Sequence, residues 1–161
     1  MPNNDLQQWE IDFRKQVFKE LDDLHIELIE ENIPRIVEAF SYRIRKERNK
    51  DIPEKQPGWC PCYTGQPCHP QVPDLNCLLC TCPNYDSSTI NGKCRAGSKQ
   101  GQYIPDSNRP PKNTIWDCSG CTRYHSPGEV TLWLTRNLDK LVAEKSRLER
   151  LTQQPTTEAK E

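Results

Sequence analysis

The sequence predicts an α-helical chain built around a small, irregular, metal-stabilised module, with helices before and after it. Three observations carry this reading. All nine cysteines fall between Cys60 and Cys121. The segments on either side hold no cysteine and repeat apolar residues at helical spacing. The chain is 34% hydrophobic and 28% charged over 161 residues, so its apolar core is thin. Small domains in that position commonly rely on a metal or on disulfides.

Residues 1–50 read as a helical segment. Asn3, Asn4 or Asp5 can cap its start. Leu6, Trp9, Phe13, Val17, Leu21, Leu24 and Leu28 then form one apolar stripe. Pro34 must kink or restart the helix, because it lacks an N–H and clashes with the preceding turn. A second stripe runs through Ile36, Val37, Phe40 and Ile44, and the segment ends in Arg43, Arg45, Lys46, Arg48 and Lys50. His25, near Asp22 and Glu27, reads as a solvated surface residue. Residues 51–58 form a linker broken by Pro53 and Pro57.

Residues 59–126 form the Cys/His-rich module, expected to be zinc-ribbon-like with short strands around Tyr103–Ile104 and Thr114–Trp116. The proline-rich loop from Lys99 to Asn113 is expected to be exposed. Ser126-Pro127-Gly128-Glu129 is a capping box with proline at the first helical position. The C-terminal helix then spans residues 127–152, with Val130, Trp133, Leu134, Leu138, Leu141, Leu148 and Leu151 on its stripe and Lys145 interrupting it. Residues 153–161 read as a disordered polar tail.

The cysteines set the chemistry. The first ten residues are polar, with no basic start or apolar run, so no signal peptide is expected and the location is read as cytoplasmic. In a reducing compartment, thiols at this density argue for metal rather than disulfides, and an odd count pairs poorly. Cys77-Leu-Leu-Cys80 and Cys118-Ser-Gly-Cys121 are two CxxC units, the usual source of a tetrathiolate site, with Gly120 suited to the tight second turn. A second site can be drawn from Cys62, Cys68 or His69, Cys82, Cys94 and His125. Cys80 and Cys82 would point the same way in an extended segment. Cys121 and His125 form a CxxxH unit just before the helix.

Together these residues resemble the family called the cysteine-rich small domain, described as metal-binding. The matching elements are Pro67-Cys68-His69, the run from Asn76 to Tyr85 (NCLLCTCPNY), and Asp117-Cys118-Ser119-Gly120-Cys121 followed by His125. Cys62 and Cys94 fall about where that family also has cysteines. Cys60 is additional, and Arg95-Ala96 follow Cys94 where the family has two glycines. The resemblance spans about residues 62–125, excludes both helical segments, and implies metal binding without naming a process.

Zinc, as two ions, suits the knuckle pair and a mixed Cys/His set. An iron–sulfur cluster is the alternative, because eight thiolates besides Cys60 could hold two clusters, with electron transfer or metallocofactor maturation as the implied work. No HExxH or HxE…PCxxC pattern is present, so a non-enzymatic role is expected. A net charge of −1 disfavours nucleic acid, although Arg43 to Lys50, Arg95, Lys99, Arg109, Lys112 and Arg123 could offer phosphate contacts. No run of 18 apolar residues predicts a membrane span. The expected partner is another protein, or a second copy, engaged through the helices.

Overall fold

The computed structural model describes residues 5–89, 91–105, 114–118 and 121–153. Among these, helix α1 spans Asp5–Asp23, α2 Ile33–Ala39, α3 Tyr42–Asn49 and α4 Pro127–Gln153. Strand β1 (Tyr85–Asp86) pairs antiparallel with β2 (Lys93–Cys94), and β3 (Gln102–Pro105) with β4 (Thr114–Asp117). The architecture is therefore helical with two small antiparallel sheets, and β3 and β4 fall where the sequence predicts strands. The caps at Asn3 and Asn4, the loop at 106–113, Gly120 and the tail from 154 lie outside the described residues.

The first helix ends sooner than its apolar stripe suggests. His25 has φ +56, and its N–H bonds to the Asp22 carbonyl at 3.0 Å while Ile26 N–H reaches Leu21 O at 2.9 Å. This is a Schellman ending, with buried Ile26 set against buried Leu21. Glycine usually fills the left-handed position, and histidine there hides the stop signal. Leu24 and Leu28 consequently pack from a turn rather than from a helix. Pro34 restarts the chain within the first turn of α2, where its missing N–H costs nothing. Ser41 Oγ caps α3 by accepting from Ile44 N–H at 3.4 Å.

At the start of α4, Ser126 Oγ accepts from Glu129 N–H at 3.3 Å. The Glu129 carboxylate takes the backbone N–H of Tyr124, not that of Ser126. Tyr124 has φ +64, so the chain turns sharply into the helix, and Glu129 holds that turn.

One hydrophobic cluster joins all three segments. Val17, Phe18 and Leu21 of α1, Ile36 and Val37 of α2, and Val130, Leu134, Leu141 and Leu148 of α4 are buried together. Leu78 and Leu79, the two residues inside the first CxxC unit, complete it. Each fully buried side chain of this size contributes about 1.5–3 kcal/mol. Leu151, expected on the same stripe, is 49% exposed, as is half of Trp9. Lys145, the interruption, pairs with Asp22 at 2.8 Å and so ties α4 to α1.

Candidate metal centre

The Cys-rich segment is seated on the helices by backbone. Tyr42 N–H donates to Leu75 O and Cys77 N–H to Phe40 O, both at 2.7 Å, around an antiparallel bridge between Ser41 and Asn76. Asn76 is fully buried. Its amide donates to Val37 O at 2.7 Å, its Oδ1 accepts from Leu78 N–H at 3.0 Å, and its backbone N–H donates to His125 O at 2.7 Å. The asparagine before the first CxxC thus fastens that turn to α2 and to the entry of α4. On the far side, Ser87 Oγ donates to Glu10 of α1 at 2.7 Å.

All nine cysteines are free thiols, and they lie in two neighbourhoods. In the first, Cys60 and Cys62 interact, Cys62 with Cys68, and Cys68 with Cys80. Cys77 feels Cys68, Cys60 and Cys62. His69 joins this group, with Nδ1 3.1 Å from Cys68 Sγ. In the second, Cys82 feels Cys121 and Cys94, and Cys118 feels Cys82, Cys121 and Cys94.

This sorting differs from the pairing expected of the two CxxC units. Cys77 and Cys80 keep company with Cys60, Cys62 and Cys68, whereas Cys118 and Cys121 keep company with Cys82 and Cys94. The cause is local. Leu78 and Leu79 are buried in the helical cluster and fix the first unit on that side. Residues 77–85 run as successive turns, with Cys80 N–H on Cys77 O at 3.3 Å and Tyr85 N–H on Cys82 O at 3.0 Å. Cys80 and Cys82 are therefore not on an extended stretch, and buried Thr81 separates the two groups.

The two histidines stack between the groups, their ring centroids 4.0 Å apart and both rings buried. His69 Nε2 lies 3.3 Å from Cys118 O, so this ring touches both thiol neighbourhoods. Its bond to Cys68 raises its pKa despite burial. Burial, and then the neighbouring His69, press His125 down to about 4. His125 lines a cavity of about 30 Å³ together with Cys82, Cys94, Cys118 and Cys121.

The thiols are crowded and partly or wholly buried. Burial pushes Cys60 and Cys118 up to about 11 and Cys77 up to about 12. Cys68 rises to about 12 through its bond with Cys80 and through burial. Among the described residues, no three His, Cys, Asp or Glu side chains are gathered so as to hold a metal ion as they stand. A tetrahedral ion with sulfurs at about 2.3 Å needs a closer gathering than these neighbourhoods have.

The donor set nevertheless fits a thiophilic cation. The second group is four thiols, and no carboxylate lines the cavity they share. Asn84 N–H donates to Cys82 Sγ at 3.4 Å, as backbone amides do around metal thiolates. The buried Trp116 indole N–H has no hydrogen-bond partner of its own, yet it lies near enough to Cys118 to favour its thiolate. Such outer donors orient and tune a metal's ligands. Asn76, Asn84 and Trp116 were not evident from cysteine spacing. Only Asn76, as an Asx turn directly before CxxC, carries a sequence signal of its own.

Comparison with family models, with curated proteins and with solved structures gives no match.

Proposed function

We propose that the chain is a non-enzymatic zinc-binding accessory module that works through protein contacts in a reducing compartment such as the cytoplasm. Cys82, Cys94, Cys118 and Cys121 would hold one ion in a ribbon-like setting beside β2 and β4. A second ion would take four ligands from Cys60, Cys62, Cys68, Cys77, Cys80 and His69. The observation that carries this is the division of nine thiols into two neighbourhoods, each with the four or more donors that a tetrahedral ion takes. Zinc is favoured over an iron–sulfur cluster because paired CxxC units with histidine close by suit a tetrahedral Cys/His site. Binding would release the thiol protons and draw the sulfurs together.

The helices supply the surface for a protein partner or a second copy. Nucleic acid is disfavoured further by the commitment of the basic run. Arg45 and Arg48 are both bound to Glu20, and Lys50 to Glu47. Arg109 and Lys112 lie outside the described residues.

The test is anaerobic purification of the full chain, followed by elemental analysis and an absorption spectrum of the same sample. About two zinc per chain and no visible band are expected. Cys118→Ser and Cys77→Ser should each lower the content by one ion. Iron with sulfide, and a band near about 400 nm, would replace this reading with the iron–sulfur one and make electron transfer or cofactor maturation the function to pursue.

A further inference from the structure

A cleft of about 750 Å³ opens between α1, α4 and the segment that carries the second thiol group. That volume is in the range of small-ligand sites, about 300–1,000 Å³. Five cations line it: Arg14, Arg95, Arg123, Arg136 and Lys140. Three carboxylates also line it, and each is already engaged. Glu10 accepts from Ser87 Oγ at 2.7 Å and pairs with Arg14 at 3.4 Å. Glu144 pairs with Arg14, and Glu129 holds the Tyr124 N–H.

The cations are less well satisfied. Arg95 lies 3.6 Å from Asp86. Arg123, Arg136 and Lys140 have no carboxylate within ion-pair distance among the described residues, and the Arg123 guanidinium lies 5.8 Å from the Tyr124 ring centroid. Arg136 and Lys140 stand four residues apart on α4, where like charges repel by a few tenths of a kcal/mol, about the size of a favourable pair. Arg14, although bound twice, keeps a buried Nε–H with no acceptor. The chain as a whole carries −1, so this positive excess is a local feature. Tyr124 and Trp133 line the same cleft and give it an aromatic side.

We propose that this cleft binds a small organic phosphate ester. Three cations without a carboxylate partner among the described residues match a group that carries about two negative charges on three acceptor oxygens better than they match one carboxylate. Guanidinium groups can meet phosphate oxygens two at a time, and the ester's organic part lies against Tyr124 and Trp133. The inference does not depend on zinc. Asn84, Arg123 and Tyr124 line both this cleft and the small cavity among the thiols, so an occupant touches the wall of the second thiol group.

The experiment is titration of the full chain as purified with phenyl phosphate, followed by calorimetry and by amide chemical shifts. Benzoate, inorganic phosphate and an acidic peptide serve as comparison ligands. Saturable binding of phenyl phosphate is expected, with shifts at Arg123, Tyr124, Trp133 and Arg136. Benzoate and inorganic phosphate should each bind more weakly. Arg136→Ala with Lys140→Ala should cost about tenfold or more in affinity, as expected for lost hydrogen bonds to a charged group. Both residues are exposed, so thermal stability should not fall. No saturable binding, affinity unaltered in the double variant, inorganic phosphate binding as tightly as the ester, or preference for the acidic peptide would each overturn the proposal.

Discussion

Removing the Glu20 carboxylate should unfold much of what holds α1 to α3. Glu20 Oε2 accepts from Arg45 Nη2 at 2.9 Å, and Oε1 accepts from Arg48 Nη2 at 2.8 Å and from Asn49 Nδ2 at 2.9 Å. The Glu20 and Arg45 side chains are each 4% exposed. Phe13 and Phe40 lie against the Arg45 guanidinium, at 5.1 and 5.6 Å from its centre, and close its route to water. Glu20→Ala therefore leaves a buried charge with no counter-ion, a change that costs about 3–5 kcal/mol. At about 2–4 °C per kcal/mol for a chain of this size, the midpoint should fall by about 6–20 °C. The assay is thermal and urea unfolding of the full chain, with metal content checked before and after. If the stranded guanidinium is the cause, adding Arg45→Met to Glu20→Ala should recover much of the loss. A loss below about 1 kcal/mol, in the range of an exposed pair, would refute the argument, and so would a double variant no more stable than Glu20→Ala.

Three further outcomes follow from the same contacts. Burial pushes the Glu20 pKa up, but the bonds from Arg45, Asn49 and Arg48 outweigh it and leave the value below its ordinary 4.5. The folded state therefore gains stability from Glu20 above that value and loses it as pH falls through the lower folded value; wild type minus Glu20→Gln, followed by urea midpoint against pH, should shrink only below about 4.5. Asn76→Ala strands the Leu78 N–H and leaves the Val37 carbonyl with the longer bond from Phe40 N–H at 3.3 Å; the unsatisfied N–H costs about 1–3 kcal/mol, and denaturant unfolding with no measurable loss would contradict the role given to Asn76. Gly92 has φ +71, and a Cβ there would run into the Tyr85 ring; Gly92→Ala should cost about 1–3 kcal/mol and shift the amide resonances of β1 and β2, whereas an unchanged spectrum would show the turn to be freer than its geometry implies.

The helices were legible because their apolar residues repeat with the turn of the helix, and the start of α4 because Ser126 and Glu129 carry an N-cap signature. What escaped the sequence was long-range. His25 stops α1 in a conformation that glycine normally advertises. Phe18 and Glu20 lie off the main stripe, and the partners of Glu20 come from α3, 25 to 29 residues further on. The candidate ligands were legible as residue types. Their division was not, because CxxC spacing says which thiols can share an ion, while the burial of Leu78 and Leu79 decides which ones are brought near each other.

Those two leucines have a consequence for how the chain can be divided. Cys77 and Cys80 belong to the first thiol neighbourhood, and the residues between them belong to the apolar cluster of α1, α2 and α4. A cut anywhere between α3 and Cys77 separates the helices from the plug that completes them and leaves the plug with its leucines in water. The helical part and the thiol-bearing part are therefore not independent units that a linker happens to join. Any ligand that stiffens the turn from Cys77 to Cys80 raises the stability of the helices that the turn plugs by mass action. Loss of that ligand should appear first as loosened packing around Phe40, whose carbonyl holds the Cys77 N–H at 2.7 Å, and around Leu134.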